Sequence, residues 1–134
     1  MSTVTAVLDV RFADCDPMGH VNNANYLTYC EQARVAFLQQ YGLGWQLPFI
    51  LAEATVRFAA PAKFGDRVHV HLSVGHIGTK SWRFDYRLTD PSGERLYAEG
   101  SSVQVAYDYA QACSVAISAD FRAALERCRA NGAG

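Results

Sequence analysis

The chain has 134 residues, of which 50% are apolar and 19% charged, a composition that suits one compact domain and argues against a disordered polypeptide. Twelve basic and thirteen acidic side chains leave a formal charge of −1, which excludes an electrostatic footprint for nucleic acid or a polybasic membrane surface. No run nears the roughly 18 unbroken apolar residues of a membrane span, and the N-terminus lacks the basic-then-apolar pattern of a secretory leader, so residues 1–134 are expected to form a single soluble, cytoplasmic domain.

In chain order, Val4 to Phe12 alternates loosely and reads as a first strand. Pro17 and Gly19 then force a turn, because Pro fixes its own φ and Gly tolerates angles that other residues avoid. The Asn pair at 22 and 23 offers caps for a helix, and Tyr26 to Tyr41 carries its stripe: Tyr26, Tyr29, Cys30, Ala33, Phe37 and Tyr41 recur at helical spacing. Gly42 and Gly44 suit its C-terminal stop. A strand over Ile50 to Ala59 ends before Pro61. Val68, Val70, Leu72 and Val74 alternate with His69, His71 and Ser73, and Trp82, Phe84, Tyr86 and Leu88 alternate with Arg83, Asp85 and Arg87, two half-buried strands. Asp90-Pro91-Ser92-Gly93 turns the chain into a last long strand over Arg95 to Tyr107. A short helix is predicted from Ala119 to Cys128 with Ser118 as its cap, and the tail Ala130–Gly134 is expected to fray. One long apolar helix followed by several strands is an α+β pattern, in which an antiparallel sheet with one apolar face can bury the helix stripe; several folds share this order.

The chemistry concentrates in Arg11-Phe12-Ala13-Asp14-Cys15-Asp16-Pro17-Met18-Gly19-His20-Val21-Asn22-Asn23-Ala24-Asn25-Tyr26. A carboxylate, a histidine and a helix N-terminus fall within ten residues, and a helix N-terminus offers unpaired N–H groups and partial positive charge to a developing oxyanion. That combination suits hydrolysis, although the same residue types also serve as plain turn formers and caps. Cys15 is an unsuitable nucleophile, because neighbours in extended chain face opposite sides and Cys15 turns away if Asp16 faces the site. Cys15, Cys30, Cys113 and Cys128 form no Cys-x-x-Cys pair and are expected as reduced thiols. His69 and His71 share a strand face but lack a third ligand, so they are expected as solvent-facing residues and no metal site is expected. Glu31 and Arg34, three apart on the helix, are expected as an ion pair.

The run Phe-x-Asp-x-Asp-x-x-Gly-His-Val-Asn-Asn-x-x-Tyr, followed by Tyr29-Cys30-Glu31-Gln32-Ala33-Arg34, resembles the signature of the hotdog-fold acyl thioesterases, closest to the 4-hydroxybenzoyl-CoA thioesterase-like group. Pro61-Ala62-Lys63-Phe64-Gly65-Asp66-Arg67-Val68, Gly78-Thr79-Lys80-Ser81 and Ala98-Glu99-Gly100 extend the likeness from about Val4 to Tyr107. The resemblance implies a hotdog fold, an antiparallel sheet wrapped around one long central helix, and hydrolysis of acyl-CoA to free acid and coenzyme A. It implies that Asp16 attacks the thioester carbonyl or activates water, that the amide at Asn23 holds the oxyanion, and that His20 tunes Asp16, protonates the leaving thiolate or bonds the turn. Lys80 and Ser81 match positions that contact the nucleotide phosphates of coenzyme A, with Gly78 and Thr79 where a relative has arginines. Coenzyme A is part of the substrate, and no separate cofactor is implied. Relatives are homodimers or homotetramers with the site at a subunit boundary. The His20-Val21-Asn22-Asn23 run also resembles plant acyl-carrier-protein thioesterases, which have Asn where this chain has Met18. Carrier-bound substrates and a non-catalytic acyl-binding domain therefore stand as alternatives.

Overall fold

The structure, a computed structural model, describes residues 4–44 and 49–133. β1 (Val4–Asp9) pairs antiparallel with β3 (Arg67–Ile77), β3 with β4 (Ser81–Thr89), β4 with β5 (Leu96–Asp108), and β5 with β2 (Phe49–Phe58). The spatial order is β1-β3-β4-β5-β2, with a two-residue β6 (Cys113–Ser114) added to the end of β5. The strict alternation of β3 and β4 sorts the sheet into two faces. Val68, Val70, Leu72, Val74, Trp82, Phe84, Tyr86 and Leu88 are buried on one of them, with His69, His71, Ser73, Arg83, Asp85 and Arg87 on the other.

The apolar face is covered by α1 (Asn23–Gln40), which buries Tyr26, Tyr29, Cys30, Ala33, Phe37 and Leu38. The side chain of Asn22 caps its start by accepting the Ala24 amide at 3.0 Å. Its end is a Schellman stop: the Gly42 and Leu43 amides return to the Gln39 and Leu38 carbonyls, with Gly42 at a positive φ of 66° that favours glycine. With Asn22, the first of the two expected caps, in that role, the helix begins at Asn23, three residues ahead of the stripe that Tyr26 opens.

The sheet and α1 fit the hotdog arrangement, and α1 shares the apolar face with the C-terminal helix expected from Ala119 to Cys128. A second helix, α2 (Ala119–Ala133), packs beside β3 and seats Phe121, Ala124, Leu125 and Cys128 in the same core. Phe121 reaches Trp82 and Phe37 at ring-centroid distances of 4.7 and 6.0 Å, so the two helices share the apolar face. Helical backbone continues through Asn131 to Ala133 instead of fraying after Ala130; of the predicted tail, Gly134 lies outside the described residues.

All four cysteines are free. Burial pushes the Cys30 thiol up to about 12 and also raises Cys128. A disulfide reagent at pH 8 should therefore label exposed Cys113 first and half-buried Cys15 more slowly. Cys30 and Cys128 should react only on unfolding; rapid titration of all four in the native protein would contradict this packing.

Candidate active site

The chain leaves β1 earlier than its alternation predicts because Asp14 captures it. Residues Phe12–Asp14 form a 3-10 turn, and the Asp14 carboxylate, only 2% exposed, accepts four hydrogen bonds. Three come from Arg11: its backbone amide at 3.0 Å, Nε at 3.1 Å and Nη2 at 2.7 Å. The fourth comes from the Tyr29 hydroxyl on the second turn of α1, at 2.8 Å. Burial alone would raise the Asp14 carboxyl, but these donors outweigh it and hold the group below the usual carboxylate range. A carboxyl lowered by folding contributes stability that is complete above its unfolded value near 4 and disappears as the pH falls through the lower folded value. The stability gap between wild type and Asp14→Asn in urea titrations should accordingly narrow from pH 5 towards pH 3. A gap that is unchanged at pH 3 would show that the charge of Asp14 contributes nothing.

Beyond this anchor, Cys15 and Val21 form an isolated antiparallel bridge, and the Asp16 amide donates to the His20 carbonyl at 2.8 Å. Gly19, at φ 82°, closes the turn by donating to the Asp16 carbonyl. Cys15 packs against the core, as the alternation argument requires, and Asp16 stays half-buried at the surface. The Asp16 Oδ1 accepts the Met18 amide at 3.0 Å and, at 3.4 Å, the His20 amide. Its second oxygen makes no hydrogen bond among the described residues, so the side chain braces its own turn with one oxygen and leaves the other unengaged.

His20 is tied in through its backbone: it bridges Lys63 of the β2–β3 loop, and Val21 donates to Ala62 at 2.8 Å. Its ring forms no hydrogen bond among the described residues, and its half-buried position leaves it within the same turn as Asp16. Asn23 is the first residue of α1. The Ala24 amide is taken by the Asn22 side chain and the Asn25 amide by the Asn22 carbonyl, leaving the Asn23 N–H unpaired among the described residues. One short loop thus gathers Asp16, His20 and Asn23. Exposed Phe12 and Phe64 meet edge to face at 5.9 Å beside it and join this loop to the β2–β3 loop.

Lys80 and Ser81 lie elsewhere. Asp9 pairs with Arg67 at the start of β3, whereas Lys80 follows the far end of that strand, about 30 Å away by strand rise. There the Lys80 carbonyl accepts the Ala106 amide, and Arg122 of α2 donates to the Gly78 carbonyl at 2.7 Å. Within one subunit these two residues cannot join Asp16 on a short ligand.

Arg34 does not pair with Glu31. It donates to the Tyr86 hydroxyl at 3.1 Å, and Tyr86 continues to Ser102 and then Gln104, a polar chain that crosses the core under α1. Buried Tyr86 would otherwise lack a charged donor, whereas exposed Glu31 is solvated. His71 is likewise not free in solvent. It is half-buried, with its ring nitrogens on Thr5 at 3.3 Å and Thr89 at 3.0 Å; burial, then the neighbouring charge of His69 and Arg87, lowers its pKa. Among the described residues no three His, Cys, Asp or Glu side chains are grouped to hold a metal ion.

Comparisons with known proteins bear on the family of the chain. The family profile of the thioesterase-like superfamily matches residues 10–125. A 1,4-dihydroxy-2-naphthoyl-CoA hydrolase of Thermosynechococcus vestitus is 32% identical over 94 residues, 65% of this chain and 64% of that protein. An acyl-acyl carrier protein thioesterase of Arabidopsis thaliana is 26% identical over 75% of this chain and 56% of its own length. The chain therefore spans slightly under two thirds of the first of these relatives and little over half of the second. A Thermus thermophilus thioesterase solved with coenzyme A and zinc superposes with a TM-score of 0.84 at 30% identity, covering 95% of each chain. With the profile running from the end of β1 into α2, across the Asp16 turn and every long strand but the first, this chain belongs to the thioesterase-like superfamily.

Proposed function

We infer that this protein hydrolyses acyl-CoA thioesters to a free carboxylic acid and coenzyme A. The observation that carries the reading is the pairing, on one turn, of a half-buried Asp16 carboxylate with one oxygen unengaged and a free Asn23 amide at the start of an 18-residue helix. The thioester carbonyl would rest its oxygen on the Asn23 N–H, where the helix terminus favours negative charge. Asp16 would add to the carbonyl carbon or draw a proton from a water that adds there. The C–S bond then breaks, and the coenzyme A thiolate leaves and takes up a proton; where Asp16 itself has added, water then cleaves the mixed anhydride, freeing the carboxylic acid and restoring the Asp16 carboxylate. A thiolate is a competent leaving group, so the ring of His20 would assist without being indispensable.

In this reading the nucleotide of coenzyme A meets Lys80 and Ser81 of a second copy, because one subunit holds those residues at the opposite end of its strands from Asp16. The β2 edge is where the second copy would join. Among the described residues it has no strand neighbour beyond β5, and it leaves Leu51 and Phe58 about half exposed, an open edge of the kind that pairs with another chain. A homodimer, or a homotetramer built from two, completes the site. No helix among the described residues is long and apolar enough to cross a membrane.

Carrier-bound acyl groups are the second reading, favoured by the relative from Arabidopsis thaliana. Thiol release from aromatic, short-chain and long-chain acyl-CoA esters, set beside the same acyl groups on carrier protein, separates the two. Turnover of coenzyme A esters supports the first, and turnover confined to carrier-bound groups replaces it with the second. Acyl-CoA binding without thiol release in either series would leave an acyl-binding domain without chemistry.

A further inference from the structure

The residue that best explains how the two halves of this site stay together is Asp14. Its carboxylate takes four hydrogen bonds from Arg11 and Tyr29, and its carbonyl takes two more: the Asn22 amide at 2.9 Å and the Asn25 side-chain amide at 2.8 Å. Arg11 lies ahead of the Asp16 turn. Tyr29, Asn22 and Asn25 belong to α1 and its cap. The six bonds therefore converge on a single residue from both sides of the turn that carries Asp16, two positions downstream.

We propose that Asp14 is a positioning residue for thioester hydrolysis, the joint that holds the Asp16 carboxylate and the Asn23 amide at a fixed separation. A buried carboxylate satisfied on both oxygens has one stable placement, since every departure breaks a charge-assisted bond in a place that water does not reach. Arg11 is 72% exposed, yet it still binds through its backbone and guanidinium together, which fixes the chain direction entering the turn. Tyr29 ties the same carboxylate to the core face of α1, where Tyr26 packs against it at a centroid distance of 6.1 Å. Rotation or sliding of α1 therefore carries Asp14 with it, and Asp16 follows. Displacements near 1 Å between reacting groups can change rates by about 100-fold, so this coupling bears on turnover more than on substrate affinity.

The inference rests on the acyl-CoA reading for its kinetic arm, and its test has a second arm that does not. Asp14→Asn and Tyr29→Phe are compared with Leu125→Ala, a core truncation on α2, at a temperature where all three are folded. Asp14→Asn should lower kcat by about 10-fold to 100-fold with coenzyme A affinity changed less than about twofold, Tyr29→Phe should lower it less, and Leu125→Ala should keep kcat despite its lower Tm. Amide exchange at Met18, His20 and Asn22 should quicken in both site variants relative to amides of β3. Full kcat per folded molecule in the Asp14 variant, or an equal loss in Leu125→Ala, overturns the proposal. If Asp14→Asn fails to fold, Tyr29→Phe decides in the same way. A wild type that is inactive on every ester defeats the acyl-CoA reading alone; unaltered exchange at the three turn amides defeats the positioning role alone.

Discussion

Asp16→Asn should reduce turnover of acyl-CoA esters by roughly 10²–10⁴-fold, the range lost when a positioned proton-transfer group is removed, and should leave the fold intact. The substitution discriminates because only one of the two Asp16 oxygens is engaged among the described residues. Oδ1 accepts the Met18 and His20 amides, and an Asn carbonyl oxygen can accept both, so the turn closed by Gly19 survives. What disappears is the negative, unengaged oxygen, replaced by an amide nitrogen that can neither attack a carbonyl nor take a proton from water. Coenzyme A affinity should hold within about twofold, since no hydrogen bond beyond the turn is lost. A small residual rate should remain from the Asn23 amide and from substrate orientation. Wild-type rates in the variant would remove Asp16 from the mechanism, and a fallen Tm with poor expression would identify it as a turn former only.

The residues that frame this experiment were legible in the sequence because they are local. Asp16, His20 and Asn23 lie within eight consecutive positions, and Pro17 and Gly19 fix the turn that brings them together. β3 and β4 were legible for a similar reason: their period of two runs unbroken from Val68 to Val74 and from Trp82 to Leu88, and no tertiary contact is needed to recognise it. Signals that depend on partners far along the chain were hidden. Asp14 looks like one more turn residue until Tyr29, fifteen positions on, is seen to reach it. The Arg34 side chain looks like the partner of Glu31 until the sheet places Tyr86 beneath it. The separation of Lys80 from Asp16 follows from strand order, which residue spacing does not encode. β6 escaped because two exposed residues carry no periodicity. The extent of α2 was missed because Gly132 and Ala133 read as a tail, although Phe121, Ala124, Leu125 and Cys128 are spaced to lie on the sheet.

Gly100→Ala should destabilise the protein by about 3 kcal/mol or more, at the upper end of overpacking costs, and lower its Tm by roughly 10 °C. Gly100 sits in β5 between Val56 of β2 and Tyr86 of β4. A methyl group there would lie 3.0 Å from both the Thr55 carbonyl carbon and the Val56 Cα, and closer still to the Thr55 oxygen. These are backbone atoms of a paired strand, with no rotamer to move, so β2 itself must shift away from β5. Gly78 offers the comparison: a methyl group there meets the Ser81 carbonyl oxygen at 3.3 Å, a contact relieved by a few tenths of an ångström, and Gly78→Ala should cost well under about 1 kcal/mol. The consequence reaches function through the edge strand. If β2 carries the contact with a second copy, Gly100→Ala should lower both stability and the fraction of dimer in sedimentation, and turnover should fall with dimer content because Lys80 and Ser81 of the second copy are lost along with it. Loss of Tm with dimer and turnover preserved would separate the β2 edge from assembly and place the contact on another surface. A Tm unchanged within about 2 °C would mean that β2 and β5 do not approach at Gly100 as closely as the register requires.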